Sequence, residues 1–215
     1  MTWAPLLLSL ESATIAMIVS LIVGSGLALL LQWRRLPARD LVDAIVSAPL
    51  VLPPTVLGYY LFSALGIFGT TFVFNFRGAV IAATVGSLPL VVRTVRVGLE
   101  SVEPNLIAAA RTLGASPARV LATVTLPLAG PGIAAAAMLG FARALGDYGI
   151  TQVVASAHFE GIGIPYTSPA SIYMYDQFIG GHEDAARAMA IVTTILGVTI
   201  LYGANRLTRR LYHRG

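Results

Sequence analysis

From Ser12 to Gln32 the chain runs without one ionisable side chain. A bilayer hydrocarbon core of about 30 Å is crossed by a helix of about 20 apolar residues, so this run is long enough to span it. Further apolar stretches follow. Ala44–Phe76 is also uncharged, Gly78 opens another run that stays uncharged to Val92, and apolar regions cover Pro131–Ala155 and Ala188–Asn205. A buried core helix of a water-soluble domain accounts for one such run, not for five in 215 residues. Composition agrees: 56% of residues are hydrophobic and 11% charged, against roughly 25% charged in a soluble domain. In hydrocarbon, backbone donors and acceptors must be satisfied within the chain. The expected fold is therefore an all-α integral membrane protein of about five transmembrane helices, organised as one domain over residues 1–215.

Span boundaries follow from charges and prolines. The stretch after Ala44 is too long for one helix, so the second span is placed at 44–65 and a turn at Gly66–Arg77. Pro49, Pro53 and Pro54 should bend or break that span, because each removes a backbone donor. Such a break is tolerated in a membrane only against protein or a water-filled cavity, which makes Pro53 and Pro54 pore or gate candidates; a plain packing kink is the alternative. The third span is Gly78 to about Gly98, with Arg93 and Arg96 snorkelling to the interface. A polar loop with His158, Glu160, Asp176, His182, Glu183 and Asp184 separates the last two spans.

All fourteen basic residues are arginine. Eleven fall in 33–40, 93–119 and the C-terminal tail, while Arg77 and Arg187 stand on the other side. Loops rich in positive charge stay in the cytoplasm, so the N-terminus is expected outside and the C-terminus inside. Arg34 and Arg35 follow the first apolar run, whereas a cleaved signal peptide carries its positive charge ahead of it. The net charge of +4 is explained by these flanks. Aromatic residues are not interleaved with the arginines as a nucleic-acid stacking surface requires, and no nucleic-acid partner is expected.

Several chemistries are excluded. There is no cysteine and no lysine, so neither thiolate metal sites nor a glycine–lysine phosphate loop can form. His158 and His182 lack ligand spacing and read as solvated loop residues. No nucleophile–histidine–acid set is present, so no catalytic residue and no metal site are expected. Gly24 and Gly26 suit close helix approach. Arg143 and Asp147 are four residues apart in the fourth apolar region. An intramembrane charge is by default a functional candidate, but an i,i+4 pair can also neutralise itself.

The most informative stretch lies between the third and fourth spans, about 100–127. Pro104–Leu113 reads as a short helix with Pro104 at its first position and Leu106, Ala109, Ala110 and Leu113 on one face. Gly114 suits a left-handed stop. Ser116 is an N-cap and Pro117 opens a second helix. An apolar-faced helix outside the bilayer needs a partner, either the membrane surface or a cytosolic protein.

The run Ala108-Ala109-Ala110-Arg111-Thr112-Leu113-Gly114, followed after nine residues by Val124-Thr125-Leu126-Pro127, resembles the cytoplasmic signature loop of binding-protein-dependent ABC importer permeases. That loop reads E-A-A, three residues, G, nine residues, I-x-L-P. Ala108 stands in place of the glutamate and Val124 in place of the isoleucine. Leu50–Tyr59, Phe76–Val80, Phe141–Gly149 and Ser168–Tyr173 resemble molybdate importer permeases in particular, in which glutamate and phenylalanine usually occupy the places of Asp147 and Tyr148. Sulfate and tungstate permeases share much of this layout.

The resemblance implies a prokaryotic inner-membrane subunit working by alternating access. It implies that Ala108, Ala109, Ala110, Arg111, Leu113, Gly114 and Ala115 couple the chain to an ATPase. Two cytoplasmic ATPase subunits would bind ATP and magnesium, so this chain needs no cofactor, and a periplasmic substrate-binding protein would deliver the cargo. Five spans are too few to enclose a path, which suggests a symmetric homodimer in the lipid bilayer. Arg143 and Asp147 join Pro53 and Pro54 as pore or gate candidates. A secondary transporter, the rival class, would show inverted repeats and buried ion sites; neither is visible.

Overall fold

The computed structural model describes residues 3–33, 36–155 and 168–212. Among these the regular elements are helices: α1 (Ala4–Gln32), α2 (Arg39–Val51), α3 (Pro54–Gly66), α4 (Phe76–Glu100), α5 (Pro104–Thr112), α6 (Pro117–Val120), α7 (Leu126–Leu128), α8 (Gly130–Leu145), α9 (Gly149–Ala155), α10 (Ala170–Ile179) and α11 (Glu183–Tyr212). A short 3₁₀ turn, Gly69–Thr71, precedes α4, and a π-helical turn, Leu121–Thr125, joins α6 to α7.

Helices α1, α4 and α11 are each long and apolar enough to cross a membrane, α11 over Glu183–Gly203. Two bent pairs raise the possible number to five: α2 with α3, turned by 116°, and the α6–α7 segment with α8, turned by 66°. The expected spans therefore need redrawing. The second is not one helix over 44–65 but two, starting at Arg39 and broken at Leu52–Pro53. Pro49 lies inside α2 without ending it; the break comes where Pro53 and Pro54 both lack the N–H that the carbonyls of Pro49 and Leu50 would accept. The fourth apolar region is likewise interrupted, at Gly146–Tyr148. Asp176 lies on α10, and Glu183 and Asp184 form the first turn of α11, where acidic groups favour the helix dipole. His158 and Glu160 lie outside the described residues.

At the centre α1, α4 and α8 pack on one another. Their contact surface is built from Ala28, Leu31, Val91, Val92, Val95 and Ala136, all buried. Small residues set the spacing. A β-carbon on Gly132 would stand 2.5 Å from the Cα of Gly98, so α4 and α8 touch backbone to backbone. Gly24 admits Val91, as its expected role requires; Gly26 meets nothing within 4 Å and lies on an open face instead. Ser20 and Ser87 hydrogen-bond across α1 and α4 at 3.2 Å, and Ser20 also donates to the carbonyl of Ala16. At the other end of α1, Ser9 Oγ accepts the N–H of Ala170 at 2.7 Å and holds α10 in place.

Arg93 and Arg96 have partners on α2. Arg96 pairs with Asp43 at 3.0 Å and lies 3.9 Å from Glu100, and Arg93 donates to Ser47 at 3.1 Å. Arg96 is thus neutralised from a neighbouring helix, whereas Arg93 meets a neutral hydroxyl and stays exposed.

Candidate functional site: an exposed helix and two facing breaks

The first site is α5 with the turn after it. Glu103 is extended and Pro104 takes the first helical position. The far end is closed by paired bonds: the N–H of Gly114 reaches the carbonyl of Arg111 at 3.0 Å, and the N–H of Ala115 reaches that of Ala110 at 3.1 Å. This six-to-one, five-to-two arrangement needs a left-handed residue between, and Gly114 supplies it with φ +82°. Ser116 then caps α6 by accepting the N–H of Arg119 at 3.3 Å.

The outward face of α5 has no cover. Leu106 is 45% and Leu113 89% exposed. Ala108, Ala109, Arg111 and Gly114 are also exposed, and Ala110 and Ala115 are half-buried. The residue that anchors the helix is Ile107, which packs against the core cluster of Leu99 and Val102. Sequence spacing put Leu106, Ala109, Ala110 and Leu113 on one apolar face; of these only Ala110 is even partly buried. Ile107 lies on the adjoining strip with Arg111, four residues on, where a β-branched residue beside an arginine gives no amphipathic signal.

Beyond α6 the chain takes its π turn, closed by the N–H of Leu126 on the carbonyl of Leu121. Two local causes are visible. Pro127 has no N–H to give the carbonyl of Thr123 and its ring crowds that carbonyl. Thr123 Oγ1 also donates to the carbonyl of Arg119 at 2.7 Å, a back-bond that disturbs a regular helix. The Val124–Pro127 signature therefore coincides with an irregular turn.

The second site lies where α2 gives way to α3 and α8 to α9. These two breaks face each other: a β-carbon on Gly149 would stand 2.7 Å from Pro54 Cβ, and one on Gly58 would stand 2.9 Å from Val153 Cβ. The α8–α9 break is organised by Asp147, whose side chain is 2% exposed. One carboxylate oxygen accepts from Arg143 at 3.0 Å. The other accepts both the N–H of Thr151, at 3.0 Å, and its hydroxyl, at 2.7 Å. Asp147 thus satisfies a backbone donor that the first turn of α9 leaves open. Its own carbonyl accepts from Ser171 at 3.0 Å, tying in α10.

Arg143 and Asp147 therefore do form an ion pair, but Asp147 lies past the end of α8 rather than on its face. Gly86 of α4 leaves room for the pair: a β-carbon there would stand 3.5 Å from Arg143 and from Asp147, and 2.8 Å from Ile150. Arg143 stays about one-third exposed, 32%, so its guanidinium is not fully consumed. Of the four pore or gate candidates, Pro54, Arg143 and Asp147 converge on this junction, and Pro53 supplies the extended residue before it. Thr151, Ser171, Gly149 and Gly86 complete it, and sequence reasoning missed them. An aspartate just ahead of a helix start is a local signal, because negative charge is favoured at a helix N-terminus; the partners on α4 and α10 have none.

Among the described residues no group of histidines and carboxylates could hold a metal ion. What the geometry defines is a helical membrane subunit with an uncovered helix at one end and two packed breaks within the bundle. Residues 10–214 match the family described as "Binding-protein-dependent transport system inner membrane component", and the chain belongs to that family. It is 41% identical over 210 residues to the molybdenum transport system permease protein ModB of Escherichia coli K12, covering 93% of this chain and 90% of that one. It is 38% identical over 215 residues to the Haemophilus influenzae protein of the same name, covering 95% and 92%. It is 31% identical to the molybdate/tungstate permease WtpB of Thermococcus kodakarensis over 192 residues, covering 89% and 73%. Among solved structures, the inward-facing MetNI methionine ABC transporter aligns with TM-score 0.79 at 22% identity, covering 95% of this chain and 93% of that one. At that identity the likeness shows the fold.

Proposed function

We propose that this chain is the membrane-spanning subunit of an ATP-driven importer of molybdate. The observation that carries the reading is the 41% identity to a molybdenum permease along almost the whole chain. Two copies form the path, since five spans or fewer do not enclose one. Each presents α5 to a cytoplasmic ATPase subunit, and Leu106, Ala109 and Leu113 are the apolar residues left for that contact. Ala108, Ala110, Arg111, Gly114 and Ala115 shape the same segment. ATP and magnesium are bound by the ATPase; this chain holds no cofactor. A periplasmic binding protein docks on the opposite side, with the N-terminus outside and the C-terminus in the cytoplasm.

Transport proceeds by alternating access. Approach of the two ATPases moves the α5 segments, and the bundle opens toward the binding protein; release of hydrolysis products returns it. The α2–α3 and α8–α9 breaks, joined at Pro54 and Gly149, are the place where such motion changes helix direction. Arg143 supplies the positive charge nearest this junction. Tungstate is a second cargo on this reading, favoured by the likeness to the Thermococcus permease.

The test is uptake of labelled molybdate by cells lacking the chain, at scarce and at excess external molybdate. The expected result is a defect at low supply that excess relieves, with tungstate competing. Unchanged molybdenum with impaired sulfate uptake would overturn the assignment. A periplasm-only reporter fused after Gly69 should be active and one after Ser116 silent; the reverse would overturn the orientation.

A further inference from the structure

We infer that Arg93 and Ser47 form a second anion site, one step beyond Arg143 along α4, that takes a tetrahedral oxyanion as it crosses the bundle; the inference rests on the import reading above. Gly86 marks the first step, since a β-carbon there would stand 3.5 Å from the Arg143 guanidinium. Arg93 follows seven residues later. Seven residues are two turns, so the two positions share a face of α4 and lie about 10 Å apart along its axis. Arg93 is exposed, although it sits inside a helix apolar enough to cross the membrane. An arginine is costly against hydrocarbon, and within a span it turns to the bundle interior or to water. Among the described residues no carboxylate pairs with it. Its partner is Ser47 Oγ of α2, which accepts at 3.1 Å. One of the five N–H donors of a guanidinium is thereby used, and the hydroxyl proton of Ser47 has no acceptor among the described residues. Donors left over on both sides of one contact call for a ligand that only accepts, and a guanidinium fork beside a hydroxyl suits an oxyanion. The acids of this region are engaged nearer the α5 end. Asp43, one turn before Ser47, accepts from Arg96 at 3.0 Å, and Glu100, two turns past Arg93, lies 3.9 Å from the same arginine. Helix α2 contributes no fully buried residue, so its contact with α4 at Ser47 is open to a ligand.

The chain has no cysteine, so a single introduced thiol is labelled alone. The full-length chain carrying Ser47→Cys replaces the native copy in its own cells. Inside-out membrane vesicles from them are treated with an anionic or a cationic methanethiosulfonate, neither of which enters hydrocarbon. The anionic reagent should react faster relative to the cationic one by at least about fivefold, the effect of one unit charge at contact distance in water. Millimolar molybdate, compared with chloride at equal ionic strength, should slow the anionic reagent by at least about threefold, as competition for one site requires. Both effects should vanish when Arg93→Gln is added and persist with Arg39→Gln, two turns away on α2. In the uptake assay Arg93→Gln should lower the molybdate rate by about tenfold, with Arg93→Lys intermediate, while ATP hydrolysis stimulated by loaded binding protein stays within about twofold of wild type. No reaction with either reagent would overturn the proposal, because lipid or a second copy would then cover Ser47. So would a charge preference that survives Arg93→Gln, an anionic reagent indifferent to molybdate, or uptake and ATP hydrolysis lost together. Labelling needs no transport, so a wild-type chain that imports no molybdate fails the cargo reading alone, and the labelling still decides the site.

Discussion

The two helix breaks that meet at Pro54 and Gly149 are made by different chemistry. The α2–α3 break is covalent. Pro53 and Pro54 withhold two backbone donors, and α3 starts with φ already fixed by its own proline. No charge is involved, and α2 contributes no fully buried residue. The α8–α9 break is electrostatic. It exists around a carboxylate at 2% exposure that holds an arginine, a threonine and the start of α9 together. The first break persists whatever surrounds it, whereas the second depends on a complete set of partners. Paired against one another, they give the bundle a fixed elbow backed by a conditional one.

The largest expected effect comes from unbalancing the conditional break. Arg143→Ala leaves Asp147 buried without its cation, and removing one partner of a buried pair costs roughly 3–5 kcal/mol. Folded yield and melting temperature in detergent should fall sharply, and Arg143→Ala with Asp147→Ala should recover part of the loss. Uptake by the double variant sharpens the roles: a stable protein that transports poorly assigns Arg143 to the anion path, and a fully active one removes it from there.

Contact between the two breaks is tested next. Gly149→Val drives a side chain into Pro54, where even a β-carbon stands at 2.7 Å. Overpacking of this kind costs about 1–3 kcal/mol. The melting temperature should drop, and Gly149→Ala should give a smaller fall in the same direction. An unchanged melt would mean that the breaks slide past each other freely.

Pro53→Ala changes the covalent break alone. It restores one donor but uncovers no charge, so its cost should stay below about 1 kcal/mol. A loss comparable to that of Arg143→Ala would erase the distinction between the breaks.

The smallest effect on melting belongs outside both. Gly114→Val strains a left-handed position, but in an exposed turn where a β-carbon meets nothing within 4 Å and where local rearrangement relieves the strain and leaves the packed bundle untouched. Insertion and melting should barely change, while ATPase activity of the reconstituted complex should lose its dependence on loaded binding protein. Normal coupling would remove α5 from the transmission route.

What can be read from the sequence follows the same division. Prolines, capping residues and turn glycines act locally, so the roles of Pro53, Pro54, Pro104, Gly114, Ser116 and Pro117 are legible in the residues themselves. Uncharged runs reveal the apolar helices for the same reason. What cannot be read depends on distant partners. The end of the fourth region at Gly146 is set by Asp147 with Thr151 and Ser171, the latter 24 residues away. Arg96 needs Asp43, 53 residues earlier. The apolar face of α5 is identified correctly by its period but points away from the bundle, because helical spacing identifies which residues share a side and not what lies against it.

The π turn at Leu121–Thr125 alters the phase of everything before it. An α-helix advances by about 100° per residue, and a turn that closes on the fifth residue instead of the fourth retains one residue more. The side chains of α6 are therefore rotated by about a quarter-turn from where a regular helix continued back from α7 would put them. Deleting one residue from this turn would rewind the helix and swing α5 to a new azimuth about the same axis, with no change to any residue it presents.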